Sequence, residues 1–215
     1  METNENFILS LKRDGYIKTE ALAEAFLEID RKKFVPEDLK ENAYENIPLP
    51  IGFGQTISQP LTVAFLIELL SPKRGEKILD VGSGSGWQAS LIAHMVQSEE
   101  KNKFPQVVSV ERIPELKKYA EKNIEKFGFI KSGLVRVING DGVRDGIQFS
   151  PYDGIIAAAS GDRIPEEWKD QIKVGGRIVA PVKDSILIIE KTGPDEYSEK
   201  KYFGFTFVPL ISDKK

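Results

Sequence analysis

Beyond residue 76 the chain alternates short apolar runs with longer stretches whose apolar positions fall three and four apart, the signature of strands followed by helices. The strand candidates are Lys77 to Val81, Gln106 to Glu111, Val135 to Asn139, Tyr152 to Ala157 and Arg177 to Pro181. Strands separated by helices predict a parallel sheet covered on both faces, because each crossover must carry the chain back over the sheet. Trp87 to Val96 reads as one such helix. Another starts near Pro114, which suits a first helical turn; Leu116, Tyr119, Ala120 and Phe127 line one face, and Gly128 is a ready C-cap. At the end of the chain Ser185 to Lys191 and Lys200 to Val208 flank the turn sequence Thr192-Gly193-Pro194-Asp195. An antiparallel hairpin is expected to close the sheet there. The fold class is therefore α/β, a doubly wound and mostly parallel sheet.

The first sixty residues have a different pattern. Leu22, Ala25, Phe26 and Ile29 recur at helical spacing with Thr19 as N-cap, and the run stops before Phe34-Val35-Pro36. Ile47-Pro48-Leu49-Pro50-Ile51-Gly52-Phe53-Gly54 is too rich in Pro and Gly for a regular element and reads as a loop laid across the domain. Ser58 precedes Pro60 and the apolar run Leu61 to Leu70, so it reads as a helix N-cap whose hydroxyl accepts from a backbone N–H.

Candidate chemistry gathers where the strands end. Asp80-Val81-Gly82-Ser83-Gly84-Ser85-Gly86 turns the chain from strand to helix through three glycines, which let the backbone approach a ligand while the helix start offers unpaired N–H groups. The next strand ends in Glu111, placed to accept from the hydroxyls of a ribose. A dinucleotide fingerprint would put its third Gly where Trp87 stands. Asp80 would repel a pyrophosphate but suits a cationic amino-acid moiety. The ammonium, sulfonium and ribose of S-adenosylmethionine therefore fit better than NAD. Gly140-Asp141-Gly142 follows the third strand, where Asp141 either accepts from an adenine amino group or merely shapes the turn.

Composition narrows the alternatives. A chain of 215 residues can fill one core, so a single domain is expected, with 1–60 as a helical and cleft-forming extension and 61–215 as the cofactor-binding core. The net charge of −3 gives no broad basic footprint for nucleic acid, and Arg31-Lys32-Lys33 reads as solvated surface. The absence of Cys removes disulfides and thiolate chemistry, and the single His94 cannot build a His-rich metal site. Leu61 to Leu70 is too short to span a bilayer and the polar start is unlike a secretory leader, so no membrane partner and a cytoplasmic address are expected.

Several segments form one pattern: Asp30-Arg31-Lys32-Lys33-Phe34-Val35-Pro36, Leu49-Pro50-Ile51-Gly52-Phe53-Gly54-Gln55-Thr56-Ile57-Ser58-Gln59-Pro60, the Gly loop, Val108-Ser109-Val110-Glu111-Arg112 and Gly140-Asp141-Gly142. Pro151-Tyr152-Asp153, Gly175 to Val182 and Phe207-Val208-Pro209-Leu210 complete it. Together they resemble the protein-L-isoaspartate (D-aspartate) O-methyltransferases. The Gly loop and Gly-Gly-Arg occur widely among methyltransferases, whereas Thr-Ile-Ser-Gln-Pro is far narrower. Trp87 and Asn46 depart from the family's usual Tyr and Asp without removing a group that the reaction needs, and Ala157 to Ser160 lacks the usual Thr, so different hydrogen bonding is expected at the substrate mouth.

The resemblance implies a Rossmann-like class I methyltransferase with a seven-stranded sheet; a monomer is expected, although the sequence carries no sign of the oligomeric state. Its implied activity is methyl transfer from S-adenosyl-L-methionine to the carboxylate of L-isoaspartyl and D-aspartyl residues in damaged proteins and peptides, after which the ester collapses to a succinimide. Other acceptors, a small molecule or a nucleic acid, and a non-catalytic cofactor-binding module are the competing readings. The resemblance makes Ser58 the active-site residue and puts Gln55, Thr56, Ile57, Asp80, Gly82, Ser83, Gly84, Ser85, Glu111, Arg112, Asp141 and Gly142 around the cofactor. Residues Ile47 to Gln59 are expected to form a lid or cleft wall. A carboxylate is already an anion at pH 7, so the reaction needs alignment and exclusion of water more than a general base.

Overall fold

The computed structural model of the chain describes residues 3–98 and 105–211. Two helices come first, α1 (Asn4–Arg13) and α2 (Glu20–Glu28), each opened by a threonine. Thr3 Oγ1 accepts from Asn6 N at 3.2 Å and Thr19 Oγ1 from Leu22 N at 3.3 Å, so both caps satisfy a donor that the first helical turn leaves free. Leu22, Ala25 and Phe26 are buried, as their spacing predicts.

The segment expected to be a loop instead forms a small antiparallel sheet, β1 (Leu49–Gly52) and β2 (Gln55–Ile57). A two-stranded sheet has only edges, so Pro50 can sit in β1 without breaking an inner ladder. Gly52, Phe53 and Gly54 all take positive φ (92°, 54° and 69°) and reverse the chain between the strands. Gly and Pro here mark the tip and edge of a hairpin.

The chain then runs through α3 (Pro60–Leu70), β3 (Ile78–Val81), α4 (Trp87–Val96), β4 (Val107–Glu111), α5 (Pro114–Glu125) and β5 (Val135–Asn139). It continues with β6 (Tyr152–Ala157), α6 (Glu166–Gln171), β7 (Ile172–Val182), β8 (Ser185–Lys191) and β9 (Tyr197–Phe203). Gly128 has the left-handed φ of a terminator, 74°, but lies three residues past Glu125, because Lys126 occupies the cap. One seven-stranded sheet has the order β5-β4-β3-β6-β7-β8-β9, parallel from β5 through β7 and antiparallel across β7-β8 and β8-β9. The order reverses between β3 and β6, so the crevice at the carboxyl ends of β3, β4 and β6 is where such sheets bind ligands.

Two strands differ from expectation. β7 starts at Ile172, because the chain passes through Gly175 and Gly176 by shifting register against β6. A Cβ on Gly176 would lie 2.8 Å from Ile172 and 2.9 Å from the Asp153 carbonyl, so the close approach requires glycine. β9 runs over Tyr197–Phe203 and ends at Gly204, whose φ of 95° turns the chain off the sheet. Residues 205–211 cross the carboxyl end of the sheet as a strap, where Ser160 N donates to Val208 O and Leu210 N to Ser160 O at 2.8 and 2.7 Å.

Each face of the sheet carries a buried apolar cluster. One joins α1 and α2 to α3, α4 and α5 over residues such as Ile78, Val107 and Ile156, and the other packs Trp168 of α6 against Leu79, Val108 and Ile178. Among the described residues no helix is long and apolar enough to cross a membrane.

Candidate active site

The donor wall is built from backbone. As β3 ends, Gly82 N and Ser83 N donate to Val110 O of β4 at 2.9 and 3.3 Å, holding the turn to the neighbouring strand. Gly82, Gly84 and Gly86 take φ of 90°, 52° and 85°. At Gly86 a Cβ would sit 2.9 Å from Ile124 Cγ1 and 3.0 Å from Ala120 O, so α5 packs against the bare backbone. Trp87 follows at once and anchors α4, its Nε1 donating to Ile29 O at 3.0 Å.

Glu111 ends β4 beside this turn and is 6% exposed. Its Oε2 accepts from Gly84 N at 2.9 Å and its Oε1 from Ile113 N at 3.0 Å. Each carboxylate oxygen has further acceptor capacity, so a fixed carboxylate with room for two hydroxyl donors lies on the crevice wall. That is the acceptor pair a ribose diol needs.

Asp80 has another position than its sequence motif implies. It is fully buried, outside the cleft lining, with Oδ1 accepting from Gln88 Nε2 at 2.8 Å and Oδ2 from Ser109 Oγ at 2.6 Å. Burial pushes its carboxyl up to about 6, while the bonds from Ser109 and Gln88 pull it down and nearby Glu111 pushes it up. Ser83 Oγ lies 2.6 Å from Ser109 Oγ, so Asp80 orients the serine that holds the Gly loop. Asp141 Oδ1 accepts from Val143 N at 2.9 Å in a turn across its own backbone, and the flanking Gly140 and Gly142 line the cleft where Asp141 does not. A Cβ on Gly142 would meet Val81 Cγ1 at 2.4 Å.

The opposite wall comes from the β1–β2 hairpin. Ser58 is not the cap of α3: that position is Gln59, which makes no side-chain cap bond. Asn46 does the work from outside, with Oδ1 accepting from Leu61 N at 3.0 Å, while Gln59 Nε2 donates to Asn46 O at 2.8 Å. Among the described residues the Ser58 hydroxyl has no hydrogen-bond partner, and the residue is half-buried in the cleft wall. Ile51 of the hairpin lies over the Gly loop, with Cδ1 3.6 Å from where a Gly84 Cβ would be.

Between the walls is a cleft of about 450 Å³, within the usual range for small-molecule sites of roughly 300–1,000 Å³. Gln55, Thr56, Ile57, Ser58, Gly82, Ser83, Gly84, Ser85, Glu111, Arg112 and Gly142 line it together. Ala158 and Ala159 after β6 also line it, as their place at a strand's carboxyl end suggests; sequence reasoning missed Thr62 on α3, Trp87 and Gln88 on α4, and the strap Thr206 to Ile211. The strap's signal was the Phe207-Val208-Pro209-Leu210 block, whose spatial meaning depends on the turn at Gly204. Fixed carboxylate, bare glycine backbone and apolar walls fit a nucleoside with an amino-acid tail.

Arg31, read as surface, is 1% exposed. Its Nη1 donates to the carbonyls of Ala43 and Glu45 at 2.7 and 3.3 Å, and its Nη2 to those of Ile47 and Ser58 at 2.9 and 3.2 Å. Burial pushes it down to about 9, so it stays protonated at pH 7. A charge run gives no sign of which member turns inward.

Known proteins agree with this geometry. A family model described as protein-L-isoaspartate(D-aspartate) O-methyltransferase matches residues 2–215. The protein-L-isoaspartate O-methyltransferase of Methanopyrus kandleri is 42% identical over 214 residues, covering 98% of this chain and 92% of its own. That of Staphylothermus marinus is 41% identical over 207 residues, covering 94% and 91%. A Plasmodium falciparum protein described as a protein-L-isoaspartate O-methyltransferase, solved in complex with S-adenosyl-L-homocysteine, superposes with a TM-score of 0.88 at 25% identity, covering 99% of this chain and 100% of that one.

Proposed function

The chain belongs to the protein-L-isoaspartate(D-aspartate) O-methyltransferase family, and from that premise we propose how its cleft works. The enzyme moves a methyl group from S-adenosyl-L-methionine to the side-path carboxylate of L-isoaspartyl residues in proteins and peptides. The bound cofactor supplies a methyl group already activated by its positive sulfur. Glu111 receives the ribose hydroxyls, and the backbone of Gly82 to Ser85 packs along the amino-acid end. Gly142 packs its bare backbone against Val81 where both line the cleft, on the side left for the base.

Ser58 is the residue that meets the acceptor. Its free hydroxyl donates to one carboxylate oxygen and leaves the other to attack, while the hairpin and the strap exclude water. No general base is required, because the nucleophile is ionised at neutral pH. The hydrogen bond must hold the carboxylate without burying its charge in a deep well, since attack consumes that charge. The ester formed is neutral; a backbone nitrogen attacks its carbonyl and expels methanol to give a succinimide, which water opens in part to ordinary aspartate. The same reading has the protein act as one methyltransferase domain, monomeric and cytoplasmic, on peptide rather than nucleic acid; its net charge of −3 supports the last point.

The observation that carries this reading is the unengaged Ser58 hydroxyl in one cleft with the buried Glu111 carboxylate. Labelled S-adenosyl-L-methionine offered with matched isoaspartyl and aspartyl peptides tests it. Base-labile label on the isoaspartyl peptide alone is the expected result; equal labelling of both, or none, rejects it.

A further inference from the structure

We infer that Arg31 is a positioning residue that holds the acceptor hairpin, and with it Ser58, in register with the donor loop. This rests on the proposed role of Ser58. The guanidinium is buried, and among the described residues no carboxylate pairs with it; its four terminal N–H groups go to four backbone carbonyls instead. Among the described residues its Nε has no hydrogen-bond partner. A buried cation without a counter-ion is a costly way to fill space, since an apolar side chain of equal volume avoids the desolvation. What the cation gives in return is geometry.

That geometry centres on the hairpin. Ile47 and Ser58 stand just outside its first ladder pair, Leu49 with Ile57, and Nη2 alone bridges their two carbonyls. Nη1 fixes the incoming chain at Ala43 and Glu45. One planar group therefore closes the base of the hairpin and sets where Ser58 begins. The same guanidinium lies 5.4 Å from the ring centroid of Trp87, the residue that follows the Gly loop, and Trp87 in turn bonds Ile29, two residues before Arg31. The hairpin and the donor loop are thus referenced to one point. A lysine cannot do this, because its single nitrogen carries three donors from one position and not a fork.

Arg31→Lys keeps the charge and Arg31→Met keeps the volume. Both should lower kcat on an isoaspartyl peptide by up to about tenfold, the loss expected when the one hydrogen bond from Ser58 to the charged carboxylate is misplaced, while the dissociation constant for S-adenosyl-L-homocysteine stays unchanged. Hydrogen exchange should accelerate over residues 44–59 and not over 78–96. Wild-type turnover in Arg31→Lys overturns the inference, since charge alone would then suffice. Failure of Arg31→Lys to fold, or loss of donor affinity in step with turnover, also overturns it in favour of a general structural role. If the wild-type enzyme does not methylate the isoaspartyl peptide, the functional reading fails, and the exchange pattern still decides whether Arg31 holds the hairpin.

Discussion

The two walls of the cleft are made by different means. The donor wall is the rim of the large sheet, where Gly82, Ser83 and Glu111 are held by bonds between neighbouring strands and their own turns. The acceptor wall is a hairpin of two short strands, held at its base by Arg31 and beside it by Asn46, residues 27 and 15 positions away from the backbone they bind. A sheet rim fixes atoms through many redundant bonds, whereas a hairpin outside the sheet depends on a few side chains. The difference suits the tasks. A constant nucleoside calls for a fixed mould, and a peptide with varied flanks calls for a wall that can be set independently.

Removing a donor-side group should give the largest effect and leave the acceptor side alone. Glu111→Ala deletes the carboxylate that fits the ribose and strips Gly84 N and Ile113 N of their acceptor. Bonds to a charged group contribute roughly 1.5–3 kcal/mol each, so affinity for S-adenosyl-L-homocysteine should fall about 100-fold or more. Calorimetry gives that number, and KM for the peptide at saturating donor should stay near the wild-type value. A parallel rise in peptide KM would show that the walls are not independent.

The same contrast explains what could be read in advance. β3, β4, β6 and β8 were legible within a residue or so, because strands largely buried on both faces read as apolar runs, and β5 because exposed Arg136 alternates with buried Val135 and Val137. The Gly loop and Glu111 were legible because a positive φ and a strand-end acid are properties of residue type. Asp80 carried the right residue for a ligand contact, yet its side chain points into the sheet toward Ser109 and Gln88, a choice of side that sequence alternation over four residues did not settle. The hairpin was hidden by Pro50 and the Gly-Phe-Gly tip. Arg31 was hidden altogether, since its partners are carbonyls, which every residue has.

A smaller effect should follow from Ser58→Ala on the acceptor side. The hydroxyl bonds nothing else among the described residues, so its removal leaves no orphaned group and the fold should not respond. Turnover on the isoaspartyl peptide should drop about tenfold, the effect of one hydrogen bond to a charged oxygen, with melting temperature and donor affinity unchanged. Single-turnover rates separate this from product release. An unaltered rate would move the acceptor contact away from Ser58 to the backbone of the hairpin.

Asn46→Ala should give the smallest effect, of the opposite kind. A serine ahead of Pro60 predicts that α3 is capped by its own chain, and loss of such a cap costs about 1 kcal/mol. That cost belongs to Asn46, whose Oδ1 accepts from Leu61 N. The substitution should lower the melting temperature by about 2–4 °C for a chain of this size and reduce turnover less than Ser58→Ala does. Thermal melts of the two variants side by side settle the division of labour: if Ser58→Ala melts early and Asn46→Ala does not, the hydroxyl is a cap after all. The expected order, stability at 46 and turnover at 58, means that capping from a distance is what leaves Ser58 free to face the substrate.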